Sequence, residues 1–251
     1  MSIIISKYYG CFFILFIYVT LIKFFNKVVF IKTFIMHNTV KNLIYIEELI
    51  KSKLNHDKLP TIIAVSKTFP IENILPLLER GHLHYGENKV QEALDKWSNI
   101  KHKYNEVKLH LIGRLQTNKV KFALKIFDYI HSLDSKKLAI KISEEQRKHE
   151  KKPKLFIQVN IGNEEQKSGI NKEQLINFYK FCNKLDLDII GTMCIPPNDG
   201  NVKKYFSEMN KINQELDFKE LSMGMSEDYL EAIENNATYV RVGSKIFGNR
   251  T

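Results

Sequence analysis

Chemistry in this chain can start at Lys67. The lysine ends the stretch Thr61-Ile62-Ile63-Ala64-Val65-Ser66, an apolar run rich in β-branched residues, too short for a helix, which reads as a buried strand. An ammonium cannot stay unpaired in a core, so a lysine at a strand end either reaches water along its stem or is held where its amine can react. An amine whose pKa falls toward neutrality is a nucleophile for aldehydes, which it captures as a Schiff base. Two later stretches carry groups suited to an anion. Ser222-Met223-Gly224-Met225-Ser226 and Arg241-Val242-Gly243-Ser244 combine glycines, which let a backbone approach closely, with the hydroxyl donors Ser226 and Ser244. Taken alone, each could equally be an ordinary turn, and Lys67 an ordinary strand-end lysine.

What decides is how the elements would place these stretches. Apolar residues recur at helical spacing over Asn38–Asn55, and further helices are predicted over Ile71–Arg80, Lys89–Lys101, Gln116–Lys125, Ser135–Glu150, Lys172–Leu185, Val202–Leu216 and Glu227–Asn235. Pro70 suits a first turn, Gly81 a helix stop, Asp134 a helix cap, and Asn236 the left-handed position after a helix. Between the helices lie apolar runs of strand length: the Lys67 strand, His82–Tyr85, Val107–Ile112, Phe127–Leu133, Lys154–Ile161, Leu187–Ile195, Glu220–Met223 and Thr238–Val242. Strands alternating with helices imply a parallel sheet, and eight of them favour closure into a single (β/α)8 TIM barrel of the α/β class. The first helix must then cover the seam that a last helix would otherwise cover.

In such a barrel, function sits at the carboxyl ends of the strands, and phosphates are often held by the loops after the seventh and eighth. Those ends carry Lys67, Asn88, Arg114, Ser132, Asn160, Met193, Met225-Ser226 and Gly243-Ser244. Closure sets the first strand beside the eighth, and a lysine next to a phosphate cradle suggests a phosphorylated aldehyde as ligand.

Composition narrows the alternatives. The chain has 251 residues, 44% of them hydrophobic, which supports one large core. Its formal net charge of +10 is spread among acidic residues, as in the mixed run from Lys141 to Lys154, so the lysines read as solvation and no nucleic-acid partner is expected. Cys11, Cys182 and Cys194 have neither metal-ligand spacing nor a paired framework, and no metal is expected. Residues 1–35 differ in kind: four lysines, no acid, and an uncharged apolar run from Tyr8 to Ile22. That run suits a signal-type apolar region better than a full membrane span. We read 1–35 either as a targeting or anchor extension or as an upstream extension without that role, and 36–251 as the barrel, with organelle targeting or membrane contact only through the extension and a cytoplasmic, monomeric barrel.

The strand-end words resemble those of the pyridoxal phosphate homeostasis protein family, whose fold is similar to the N-terminal domain of alanine racemase. They are Ala64-Val65-Ser66-Lys67-Thr68, Tyr85-Gly86-Glu87-Asn88 with Val90-Gln91-Glu92, His110-Leu111-Ile112-Gly113 with Leu115-Gln116, and His131-Ser132-Leu133-Asp134-Ser135. Lys167-Ser168-Gly169, Leu221 to Ser226 and Val240 to Gly243 follow in family order. The resemblance implies that Lys67 carries pyridoxal 5′-phosphate as a Schiff base, that Arg241 faces the pyridine nitrogen, and that Ser226, Gly243 and Ser244 hold the phosphate. Asn88, Ser132 and Met223 complete the expected cofactor surroundings. Lys89, Phe69 and Asn236 depart from the family words without touching the proposed lysine, arginine or phosphate loops.

An arginine at the ring nitrogen stays charged and leaves that nitrogen largely unprotonated, which weakens the cofactor as an electron sink. Racemisation needs acid/base groups on both faces of a substrate, and only Ile246 to Thr251 follow the last strand to supply them. The expectation is therefore a vitamin B6 homeostasis protein that buffers the cofactor and delivers it to apo-enzymes, not an enzyme. The alternative is a low-activity racemase or lyase using Lys67 as base.

Overall fold

The computed structural model describes residues 36–54, 59–149 and 151–249. The expected extension over 1–35 lies outside them. Eight parallel strands close a barrel in sequence order: β1 (Thr61–Val65), β2 (His84–Glu87), β3 (Lys108–Leu111), β4 (Tyr129–Leu133), β5 (Lys154–Val159), β6 (Ile189–Cys194), β7 (Glu220–Met225) and β8 (Tyr239–Val242). β1 pairs with β8 from Thr61↔Tyr239 to Ala64↔Val242, so the barrel is the closed (β/α)8 form that the strand count implies.

The helices are α1 (Asn38–Lys53), α2 (Ile71–Glu79), α3 (Val90–Lys103), α4 (Val120–Ile126), α5 (Lys136–His149), α6 (Leu175–Lys184), α7 (Val202–Glu215), α8 (Tyr229–Glu234) and the short α9 (Ser244–Phe247). α1 buries Leu43, Ile46 and Ile50 and packs against α2, α8 and α9, which lays it over the β8–β1 junction. Asn42 Nδ2 donates to Ile246 O at 3.0 Å and fixes α1 to α9.

Four helices end in one shared motif. After α2, His82 N–H returns to Leu77 O at 3.0 Å and Gly81 N–H to Leu78 O at 2.9 Å, with Gly81 at φ +89°. The same pair of bonds closes α6 at Asp186, α7 at Asp217 and α8 at Asn236, all with positive φ. The turn after α2 uses up Gly81 and His82, so β2 begins at His84 and not at His82. Ser135, not Asp134, caps α5, its hydroxyl accepting from Leu138 N–H at 3.4 Å. Among the described residues no helix is long and apolar enough to cross a membrane.

Candidate functional site

β1 runs out at Val65, and the next three residues turn across the carboxyl end of the barrel. Ser66 is fully buried and its N–H donates to Gly86 O at 3.0 Å, while Thr68 adopts φ +66°. Lys67 between them is half-buried and borders a cavity of about 600 Å³, within the range of small-molecule sites. Asn88 after β2, Ser226 after β7, Arg241 on β8, and Gly243 and Ser244 after β8 border the same cavity. Gln158 and Asp228, neither of them expected among the cofactor's contacts, are also on its wall.

Backbone approach shapes this mouth. Gly224 sits at φ +87° and an added Cβ would lie 2.5 Å from Ala232 Cβ, so only glycine lets the β7 loop turn here. A Cβ on Gly113 would lie 2.3 Å from Asn88 O, so β3 can end against the Asn88 loop only without a side chain. Ser226 Oγ accepts the Gly243 N–H at 3.2 Å and joins the two small-residue loops.

Arg241 is buried beneath the cavity. Its Nη1 donates to Ser222 Oγ at 2.8 Å and its Nη2 to Cys194 O at 2.9 Å. Burial lowers the guanidinium's pKa, with Cys194 and Asp228 opposing, and arginine still stays cationic near neutrality. Burial raises the Asp228 carboxyl, although the Met225 N–H donates to it at 2.5 Å and Arg241 also favours its anion. Cys194 is pushed up to about 12, chiefly by burial, so it packs as a small hydrophobe. Among the described residues no group of His, Cys, Asp or Glu could hold a metal ion.

Below Arg241 a file of imidazoles crosses the barrel interior. His131 Nδ1 meets Ser222 Oγ at 2.9 Å, His110 Nδ1 meets His131 Nε2 at 2.9 Å, and His84 Nδ1 meets His110 Nε2 at 2.9 Å. His110 stacks on Tyr129 and His131 on Phe156, with ring centroids 4.2 and 4.3 Å apart. Burial holds His110 and His131 well below 6.5, assisted at His131 by Arg241. His82 and His84 fall to about 4, again mainly by burial. Both border a cavity of about 340 Å³ that also takes in Thr61 and Ile62 of β1, at the amino-terminal mouth of the barrel.

Of the residues expected around a cofactor, Lys67, Asn88, Ser226, Arg241, Gly243 and Ser244 thus meet at one cavity, and Met223 and Ser132 do not border it. Ser222 points inward to Arg241 and His131, so the pleat turns Met223 outward, where it is fully buried in the core shared with the helices. Ser132 lies where the β4–β5 register shifts; it is buried and its hydroxyl has no hydrogen-bond partner among the described residues.

Residues 47–251 match the model of the alanine racemase N-terminal domain. A pyridoxal phosphate homeostasis protein of Aquifex aeolicus is 39% identical over 199 residues, 75% of this chain and 86% of the relative. The protein of that name from Homo sapiens is 36% identical over 212 residues, 76% of this chain and 77% of its own length. Among solved structures, PipY of Synechococcus elongatus with PLP bound superposes with a TM-score of 0.75 at 30% identity, covering 84% of this chain and all of its own. The alanine racemase of Clostridium difficile shares the fold, with a TM-score of 0.64 at 17% identity over 85% of this chain and 57% of its own.

Proposed function

Because the chain belongs to the pyridoxal phosphate homeostasis protein family, built on the barrel of the alanine racemase N-terminal domain, we propose that it binds pyridoxal 5′-phosphate at the carboxyl-end cavity and buffers and delivers it. The observation that carries this reading is the convergence of a lysine, a buried guanidinium and two serine hydroxyls on one cavity of about 600 Å³. Cationic and donor groups in that number fit a phosphorylated aldehyde.

When bound, the cofactor supplies an aldehyde that an amine can capture reversibly. Lys67 offers that amine. Ser226 accepts the Gly243 N–H and so keeps its own O–H to give to a phosphate oxygen, and Ser244 offers a second hydroxyl beside it. Arg241, held by Ser222 and Cys194 O, would present a fixed cation to the pyridine nitrogen of a bound cofactor. A guanidinium there would donate without yielding its proton, which would leave the ring nitrogen largely unprotonated and weaken catalysis through it. This favours a carrier over an enzyme. The recipients on this reading are apo-enzymes that use the same cofactor, and any membrane or organelle contact of the cytoplasmic barrel runs through residues 1–35.

The test is to load purified protein with pyridoxal 5′-phosphate, record its visible spectrum, reduce with borohydride and map the labelled peptide. The label is expected on the peptide containing Lys67 and should disappear in Lys67→Ala. Labelling mainly at Lys167 or Lys245, with Lys67→Ala binding normally, would refute the assignment. Multiple-turnover loss or inversion of a single amino acid would replace the carrier with an enzyme.

A further inference from the structure

The turn that carries Lys67 is not one its own residues prefer. Thr68 is β-branched, and such a residue takes a positive φ only when its surroundings impose it. The two peptide planes that meet at Lys67 Cα are each held by a charged side chain of α3. On one side, Ser66 C=O accepts from Lys96 Nζ at 2.8 Å. On the other, Thr68 N–H donates to Glu92 Oε1 at 2.5 Å. The two clamps are themselves joined, because Lys96 Nζ lies 3.2 Å from Glu92 Oε1.

A second carboxylate anchors the pair from beneath. Glu87, at the end of β2, is completely enclosed, and its Oε1 accepts from Lys96 Nζ at 3.0 Å, Trp97 Nε1 at 3.0 Å and Ser66 Oγ at 2.7 Å. Its Oε2 has no partner among the described residues. A buried ion pair is weak as a stability device, since a well-packed apolar substitute is often as good, whereas a charge network fixes geometry in a way that apolar contacts do not. Glu87, Glu92, Lys96 and Trp97 are absent from the cavity wall, so none of them touches a molecule bound there.

We propose that Glu92 and Lys96, anchored by Glu87, are positioning residues for Lys67: they lock the peptide planes on either side of its Cα and so aim its amine at the aldehyde of the cofactor. The inference rests on the cofactor reading above. The step it serves is a condensation in which the Lys67 nitrogen bonds to the aldehyde carbon and the aldehyde oxygen leaves as water, with no oxidant or reductant. An amine released from a fixed turn attacks less often, since placement errors of about 1 Å can cost up to about a hundredfold in rate.

The experiment compares Glu92→Ala and Lys96→Met with Glu92→Gln and Lys96→Arg. Two quantities are measured: the rate at which pyridoxal 5′-phosphate attaches covalently, and the affinity for pyridoxine 5′-phosphate, which has an alcohol in place of the aldehyde. Glu92 is part-exposed, so Glu92→Ala reports even if Lys96→Met, which strands the buried Glu87 carboxylate, does not fold. The expected result is attachment slowed about tenfold or more in Glu92→Ala, affinity for the alcohol analogue unchanged within about twofold, and partial recovery of the rate in Glu92→Gln, which keeps an acceptor for Thr68 N–H. Attachment at the parent rate in folded Glu92→Ala would overturn this inference alone, as would parallel losses of attachment and analogue affinity. A parent protein that borohydride does not label at Lys67 would overturn the cofactor reading and this inference with it.

Discussion

Acid should dismantle this barrel through its interior histidines before its carboxylates matter. The perturbation is a fall in pH from 7.5 to 5. His82, His84, His110 and His131 all titrate below 6.5 in the folded protein, mainly through burial, while in the unfolded chain they titrate near 6.5. The folded state therefore binds fewer protons, and stability drops as pH falls below 6.5 toward the folded values, about 4 for His82 and His84. Each pH unit below 6.5 costs about 1.4 kcal/mol for every histidine kept neutral. Four such groups would withdraw roughly 8 kcal/mol by pH 5, and the part exposure of His82 and His84 reduces that to about 5 kcal/mol. Domains of this kind have about 5–15 kcal/mol in all. Half-buried Asp134 and Asp228, whose carboxyls are raised, act in the opposite sense but only nearer the carboxylate range. Trp97 is the only tryptophan and is fully buried, so its fluorescence reports urea unfolding cleanly at each pH. A stability that changes by less than about 1 kcal/mol between pH 7.5 and 5, or a folded-state His131 resonance titrating near 6.5, would refute the reasoning.

Two further outcomes follow from the geometry. Gly113→Ala should cut affinity for pyridoxal 5′-phosphate, and stability by about 1–3 kcal/mol, because its Cβ would press on Asn88 O across a 2.3 Å gap; unaltered binding and melting would show that the Asn88 loop gives way freely. A chain begun at Met36 should fold and bind the cofactor like the full chain, since all eight strands lie between Thr61 and Val242; loss of binding, measured by spectral titration, would mean that residues 1–35 belong to the barrel.

Much of the architecture was readable because its signals are local. Apolar runs of strand length between helical periods give the order of the barrel, and Gly81 and Asn236 mark helix ends with letters known to favour positive φ. Asp186 and Asp217 close helices by the same bonds but are weaker letters, so those stops do not stand out in the sequence. At the site, the readable residues are those whose place depends only on being at a strand's carboxyl end: Lys67, Asn88, Ser226, Arg241, Gly243 and Ser244. Met223 failed to reach the cavity because facing depends on which neighbour takes the inward position, and Ser222 takes it. The histidine file was hidden for a non-local reason. Its members pair off register, with His110 opposite Gly86 and Tyr129, so contact between His84, His110 and His131 climbs two residues per strand with the barrel's stagger. The Lys67 clamp is likewise split between β1 and α3, and a Glu and a Lys four apart on a helix look from sequence like a surface pair.

That climbing file also has a direction. Arg241 can only donate to Ser222 Oγ, and among the described residues the other partner of that oxygen is His131 Nδ1; a buried hydroxyl gives its hydrogen to the acceptor at hand, so it goes to that nitrogen. His131 then carries its proton on Nε2 and gives it to His110 Nδ1, and His110 in turn gives from Nε2 to His84 Nδ1. Three tautomers are thereby reduced to a single choice, made by a cation at the open mouth and read out as the Nε2 proton of His84 at the opposite one. No imidazole in the series can reverse unless all of them do, so the lumen behaves as one dipole running the length of the barrel.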